Sequence, residues 1–168
     1  LSRRNRADWI VATKFGHQYH GFMNRTWHLS AAEVRGQLED SLRALRTDYI
    51  DLFFIHWIGP KDYGEDSYEW PKSKELKEVA EQLKKAGKIK LFGFSCHDAT
   101  CARYLQAAAE GGFIDGIMFS YTPLLPPSDE LNRAMDACAK AGVGMIAMKT
   151  MRAHGEMPKR IPDFDTLG

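Results

Sequence analysis

Five short apolar runs punctuate the chain: "DWIVATKF" (8–15), "YIDLFFIHW" (49–57), "IKLFGFS" (89–95), "GIMFSYT" (116–122) and "VGMIAMKT" (143–150). Each is too short for a core helix and rich in β-branched or aromatic residues, so each predicts a buried strand. Between the runs the apolar positions recur at helical spacing. Ser30 with Glu33 three positions on forms a capping box, and Val34, Leu38, Leu42 and Leu45 then share one face. Leu76, Val79, Ala80 and Leu83 make a second stripe, ended by Gly87 where a left-handed residue closes a helix. Asp98 caps a third helix, "ATCARYLQAAAE", which stops at Gly111 and Gly112. Ser128, after Pro126 and Pro127, caps a fourth, "DELNRAMDACAKA", which stops at Gly142.

Strands alternating with helices imply parallel β/α units, because a parallel neighbour needs a crossover of about a dozen residues. The fold class is α/β. No G-x-G-x-x-G follows the first strand, and the glycines of "KAGKIKLFGFS" fall in the wrong frame for a phosphate-binding turn, which removes the main support for a Rossmann fold. An arc of a (β/α)8 TIM barrel is the expectation. About five β/α units are too few to close a barrel that typically needs about 250 residues. Residues 1–168 are therefore expected to form a single incomplete domain, with barrel units missing at both ends. Its two open strand edges would leave such a piece marginally stable and inactive by itself.

Composition narrows the function classes. Of 168 residues, 44% are hydrophobic, enough for one sizeable core. Lysine and arginine number 23 against 22 aspartates and glutamates, so nothing in the charge predicts binding to nucleic acid or to an anionic membrane. The three cysteines, Cys96, Cys101 and Cys138, lack C-x-x-C spacing and predict reduced thiols in a cytoplasmic setting. No stretch reaches the roughly eighteen apolar residues of a membrane span, and "SRRNR" lacks the apolar core of a secretion signal. The chain opens on Leu1, so a processed or truncated product stays open.

In a (β/α)8 enzyme the chemistry gathers at the C-terminal ends of the strands. Here those ends carry Thr13 and Lys14, His56, then Ser95, Cys96 and His97, and finally Lys149. Singly, Lys14 is what a strand-end lysine reaching for solvent looks like, and His56 resembles a hydrogen-bonded core histidine. Together, on successive parallel strands, they face one end of the sheet, where a cation beside a neutral imidazole can orient and polarise a carbonyl oxygen.

The segments "WIVATKFGH", "QLEDSLRALRTDYIDLFFIHW", "LKKAGKIKLFGFSCHDA" and "AGVGMIAMKTM" closely resemble, in order and spacing, the central part of the aldo-keto reductases. The resemblance covers about residues 8–150, and "SLRALRTDYIDLFFIHW" is its most specific block. It implies an oxidoreductase that transfers hydride from NADP(H), or from NAD(H), to the carbonyl carbon of an aldehyde or ketone. In that family a tyrosine is the general acid, supported by a lysine paired with an aspartate, and a histidine orients the carbonyl. Lys14 in "ATK" matches the lysine and His56 in "FFIHW" the histidine. The tyrosine and aspartate fall before the lysine strand in the family and are not in this sequence. Ser95 matches the serine of a serine–asparagine pair that binds the nicotinamide carboxamide, with Cys96 in place of the asparagine. Met118 stands where a glutamine is usual, and Met148 where a tyrosine commonly stacks on the nicotinamide. With Lys149 beside it, Met148 resembles a bacterial branch whose strand reads "AMK", so Lys149 joins Ser95 and Cys96 as a cofactor-binding candidate.

Two long segments follow the first two strands, "GHQYHGFMNRTWHL" and "IGPKDYGEDSYEWPKS", and are read as loops. From them Tyr19 and Trp57, with Phe22, Trp27, Tyr63 and Trp70, are candidates to line a substrate pocket. Tyr19 is also the nearest tyrosine to Lys14. His17, His20 and His28 lack a neighbouring ligand of the kind zinc sites use, and Cys96, His97 and Cys101 have no metal-site spacing, so no metal is expected. The expected partner is a small carbonyl substrate, with no nucleic acid and no membrane. Two rival readings share these residues: a non-catalytic NADP-binding regulatory subunit on the same fold, and a remnant or assembly module without cofactor. Substrate identity, NADP against NAD, and oligomeric state are not legible in the sequence.

Overall fold

A computed structural model describes residues 5–21, 24–60, 64–97, 100–123 and 127–150. Five parallel strands form the sheet: β1 (Ala12–Phe15), β4 (Ile50–Ile58), β5 (Ile89–Cys96), β6 (Gly116–Ser120) and β7 (Gly144–Met148), in that spatial order. Between β1 and β4 stand an antiparallel hairpin, β2 (His17–Gly21) with β3 (Asn24–Trp27), and helix α1 (Ala31–Leu45). Helices α2 (Lys74–Lys85), α3 (Cys101–Gly111) and α4 (Asp129–Lys140) make the later crossovers. Strands that are successive in the chain, the hairpin aside, are neighbours in the sheet. All four helices contribute to one apolar cluster with Phe15, Phe53, Phe92, Phe94, Ile117 and Phe119. One-directional winding with every helix on one face is the arrangement of a barrel arc, not of a doubly wound sheet.

The caps explain where the helices begin and end. Ser30 Oγ accepts from the Glu33 backbone N–H, and the Glu33 carboxylate accepts from the Ser30 N–H, which completes the expected capping box. Ser73 and Ser128 cap α2 and α4 by the side chain alone, each Oγ accepting from the N3 backbone N–H, of Leu76 and Leu131. Gly87, Gly112 and Gly142 take φ of 69°, 67° and 76°, the left-handed region that glycine enters without a Cβ clash. The start of α3 differs from expectation. Its N-cap is Thr100, whose hydroxyl meets Tyr68 Oη at 2.7 Å, while Asp98 lies outside the described residues.

Both segments read as loops contain regular structure among the described residues. The first holds the antiparallel β2–β3 hairpin, whose strands contain no proline to interrupt the ladder. The second contains a 3-10 segment, Glu65–Lys72, seated on α3. There Ser67 and Tyr104 hydroxyls are 2.6 Å apart, and Gly111 approaches Pro71 so closely that a Cβ would sit 1.9 Å from the Pro71 carbonyl oxygen.

The first strand is shorter than its apolar run predicts, because an ionic network captures the run's beginning. Trp9 and Ile10 are 47% and 81% exposed. Arg6 donates to Asp51 Oδ2 at 2.7 Å, to the Tyr49 carbonyl and to Thr47 Oγ1, with its guanidinium 3.8 Å from the Tyr49 ring centroid. The Val11 N–H donates to the same Asp51 oxygen at 2.9 Å, and Lys90 approaches Oδ1 at 2.7 Å. Burial opposes ionisation of Asp51, but the bonds from Lys90, Val11 and Arg6 outweigh it and lower its carboxyl from 3.8 to about 2. A shift of that size corresponds to about 2 kcal/mol. That figure is an upper one, because Lys90 is 60% exposed and water screens its share. The stability is present above the unfolded aspartate value and is lost as pH falls through the folded one. Asp51→Asn is therefore expected to lose about 1–2 kcal/mol at pH 7. Urea midpoints measured down the pH scale should show variant and parent converging from about pH 4 toward pH 2.

Candidate active site

Alternation along the strands sorts the site residues by face. Phe15, Phe53 and Phe92 pack toward the helices, so Lys14, Phe54 and Gly93 point to the opposite, inner face. Register places Lys14 beside Phe54, Phe54 beside Gly93, Gly93 beside Gly116 and Gly116 beside Gly144. This layer has one large apolar side chain for three glycines, and the Phe54 ring lies across Gly93 and Gly116. Residues farther along the strands, toward their C-terminal ends, make the next layer: His56, Ser95, Met118 and Ile146.

A β-bulge aims His56. Ile55 pairs with Phe94 and Ile58 with Cys96, so His56 and Trp57 together oppose the single residue Ser95. Trp57 absorbs the extra residue at φ 54°, a left-handed conformation that costs a bulky side chain of order 1 kcal/mol or more. Ser95 holds it there: its fully buried Oγ accepts the Trp57 N–H at 2.9 Å and lies 3.4 Å from the Ile55 carbonyl. The bulge returns Ile58 to the helix-facing core and leaves His56 half-buried at the strand's end.

His56 meets the hairpin. Its Nδ1 lies 3.0 Å from Nδ1 of His17, and the His17 ring stands 4.3 Å from that of Trp27. On the other side Trp57 packs edge-on to His97 at 5.1 Å, and His97 Nδ1 is 3.3 Å from Ser120 Oγ. Around the open edge of β1 runs a cavity of about 450 Å³ lined by Lys14, His17, Gln18, His28, Glu33 and Gln37, among others. That is within the usual range for small-molecule sites. Hydrogen bonds from Ser30 and then His28, with the Ser30 backbone, lower Glu33 from 4.5 to about 2, so the lining that includes Lys14 also carries a negative charge.

The predicted residues thus divide. Lys14, His56 and Ser95 share the inner face, and Trp57 flanks it. Cys96 points the other way, fully buried in the helix-facing core. Lys149 is exposed just past β7 with φ 56°. Tyr19 lies in β2 opposite Arg25, with its side chain outside the described residues, as are Phe22 and Tyr63. Trp27 reaches the site through His17, whereas Trp70 packs on the helix-facing core. Among the described residues no group of three or more histidines, cysteines and carboxylates is placed to hold a metal ion.

Residues 1–161 match the model of the aldo/keto reductase family. The chain belongs to that family. Among its curated relatives is L-galactose dehydrogenase of Arabidopsis thaliana, 28% identical over 142 residues, or 84% of this chain and 41% of the relative. Aldo-keto reductase YhdN of Bacillus subtilis is 38% identical over 68 residues, 40% of this chain and 18% of the relative. Aldo-keto reductase AKR11C1 of Bacillus halodurans, in its holo form, superposes with a TM-score of 0.63 at 26% identity, covering 94% of this chain and 49% of that one. The NADP complex of a Bombyx mori aldo-keto reductase superposes at 0.65 and 19% identity, covering 98% of this chain and 51% of that one, a likeness of fold alone. The five-stranded parallel arc is thus part of the (β/α)8 barrel of the aldo/keto reductases. The chain spans about half the length of these solved structures and less of the curated relatives.

Proposed function

We propose that this protein reduces the carbonyl of a small aldehyde or ketone, with NADP(H) or NAD(H) as the hydride carrier. The observation that carries the reading is the placement of Lys14 and His56 on the inner face of adjacent parallel strands, with a bulge spent on aiming the histidine. The relatives support it: one is named a dehydrogenase, and the Bacillus halodurans aldo-keto reductase was solved in a holo form.

The residues present fit a nicotinamide ring in part. Met118, Ile146 and Met148 form a partly exposed apolar shelf on the inner face beyond the three glycines, with the Lys149 cation past its end. Ser95, the expected carboxamide ligand, already has its hydroxyl on the β4 backbone and would have to share it. When bound, the reduced nicotinamide supplies a hydride to the carbonyl carbon. His56 donates a hydrogen bond to the carbonyl oxygen and stabilises the alkoxide as charge develops. Lys14, as a cation beside the same oxygen, favours the ionised form of the acid that delivers the proton. The aromatic edges of Trp27 and Trp57 exclude water from the flank. All three cysteines are buried, and burial raises Cys138 to about 11, which suits inert thiols in a reducing compartment.

The test is NADPH oxidation by the full-length protein with a panel of aldehydes and ketones, because this chain spans about half the length of its solved relatives. Transfer of deuterium from C4-deuterated cofactor to the product carbon is the expected result. Cofactor bound without turnover of any carbonyl would overturn the reductase reading in favour of a regulatory one.

A further inference from the structure

We propose that His17 is a positioning residue that fixes the ring orientation and tautomer of His56. This deepens the reductase reading above and rests on it. Two imidazoles whose Nδ1 atoms are 3.0 Å apart must share one proton between those atoms, so one donates and the other accepts. To hold a substrate oxygen, His56 must present an N–H outward. With its Nδ1 turned to His17, that N–H has to be on Nε2. The neutral pair meets this requirement when His17 Nδ1–H donates and His56 Nδ1 accepts, which leaves the His56 proton on Nε2. A 180° flip of the His56 ring would forfeit the contact, so the same bond selects the ring edge as well as the tautomer.

The surroundings are built to hold the donor in place. His17 is the first residue of β2, only three positions beyond Lys14, and the β2–β3 ladder pairs it with Trp27, whose ring packs on its own at 4.3 Å. The backbone carrying His56 is pinned from the opposite side by Ser95. A hairpin in place of a loop at this position therefore serves to carry one imidazole to another.

Two variants separate this role from simple packing. His17→Phe keeps an aromatic ring against Trp27 but has no donor, while His17→Asn keeps an N–H near the Nδ1 position and loses the ring. The inference expects kcat to fall about tenfold or more in His17→Phe, with nicotinamide affinity unchanged, and to recover most of the loss in His17→Asn. A packing role predicts the reverse order. Long-range ¹H–¹⁵N spectra of His56 at pH 8 give a readout independent of turnover: the proton should sit on Nε2 in the parent and His17→Asn proteins and become mixed in His17→Phe. A parent His56 protonated on Nδ1, or full kcat in His17→Phe, overturns the inference. Turnover indifferent to His56 itself would instead bring down the reductase reading, and with it any catalytic use of the pair.

Discussion

Replacing Gly93 with alanine is expected to destabilise the protein by more than about 4 kcal/mol, a large share of the 5–15 kcal/mol typical of a whole domain. The new Cβ would lie 1.8 Å from the Gly116 carbonyl oxygen and 2.8 Å from Phe54 Cε1. Neither neighbour can yield cheaply. The oxygen belongs to the backbone of the adjoining strand, so relief means prying β5 from β6, and Phe54 is 1% exposed with its ring laid over the glycine layer. Two controls isolate the cause. At Gly116, in the same layer, a Cβ meets nothing closer than 3.5 Å, and alanine there should be tolerated far better. Gly36, inside α1, has open space around it, and alanine should stabilise by about 0.5–1 kcal/mol through helix propensity and loss of unfolded-state freedom. Urea unfolding of the three variants should rank Gly36→Ala above Gly116→Ala and Gly93→Ala last. A near-parental midpoint for Gly93→Ala would mean that β5 and β6 are not held as close as the structure shows.

The same layer shows how far the sequence could be read. Strand and helix identities follow from local periods, and the caps at Ser30 and Ser128 and the stops at Gly87 and Gly142 come from residue chemistry within four positions, which a sequence displays directly. Lys14 and His56 were legible as strand-end residues, and the family resemblance gave them roles. What a single sequence does not display is pairing across strands. Gly93 reads as an ordinary strand glycine until β6 is brought beside it. Asp51 reads as a polar interruption of an apolar run until Arg6, Val11 and Lys90 converge on it. The bulge at Trp57 has no composition signature, since it is forced by the register of Ile58 against Cys96. His17 reads only as a metal-ligand candidate in the sequence, because its place beside His56 depends on a hairpin hidden in a segment that reads as loop.

Lys14→Met and His56→Ala are each expected to lower kcat about a hundredfold or more, about 2.7 kcal/mol of transition-state stabilisation, while changing the affinity for reduced nicotinamide by less than about threefold. The asymmetry follows from position. Both side chains stand at the strand ends on the inner face, where a carbonyl oxygen would gather charge, and neither belongs to the apolar shelf of Met118, Ile146 and Met148. Stability should change little. Lys14 is exposed and His56 half-buried, and neither lies in the helix-facing core, so thermal unfolding of the variants can separate lost chemistry from lost structure. Lys14→Arg sharpens the test, because it keeps the charge but spreads it over a planar fork that cannot occupy the site of a compact ammonium. If Lys14 acts as a point charge beside the proton donor, the arginine variant should stay at least tenfold below the parent. Equal kcat in Lys14→Met would remove the lysine from the mechanism, and a matching loss of cofactor affinity in both variants would reassign the pair from chemistry to binding.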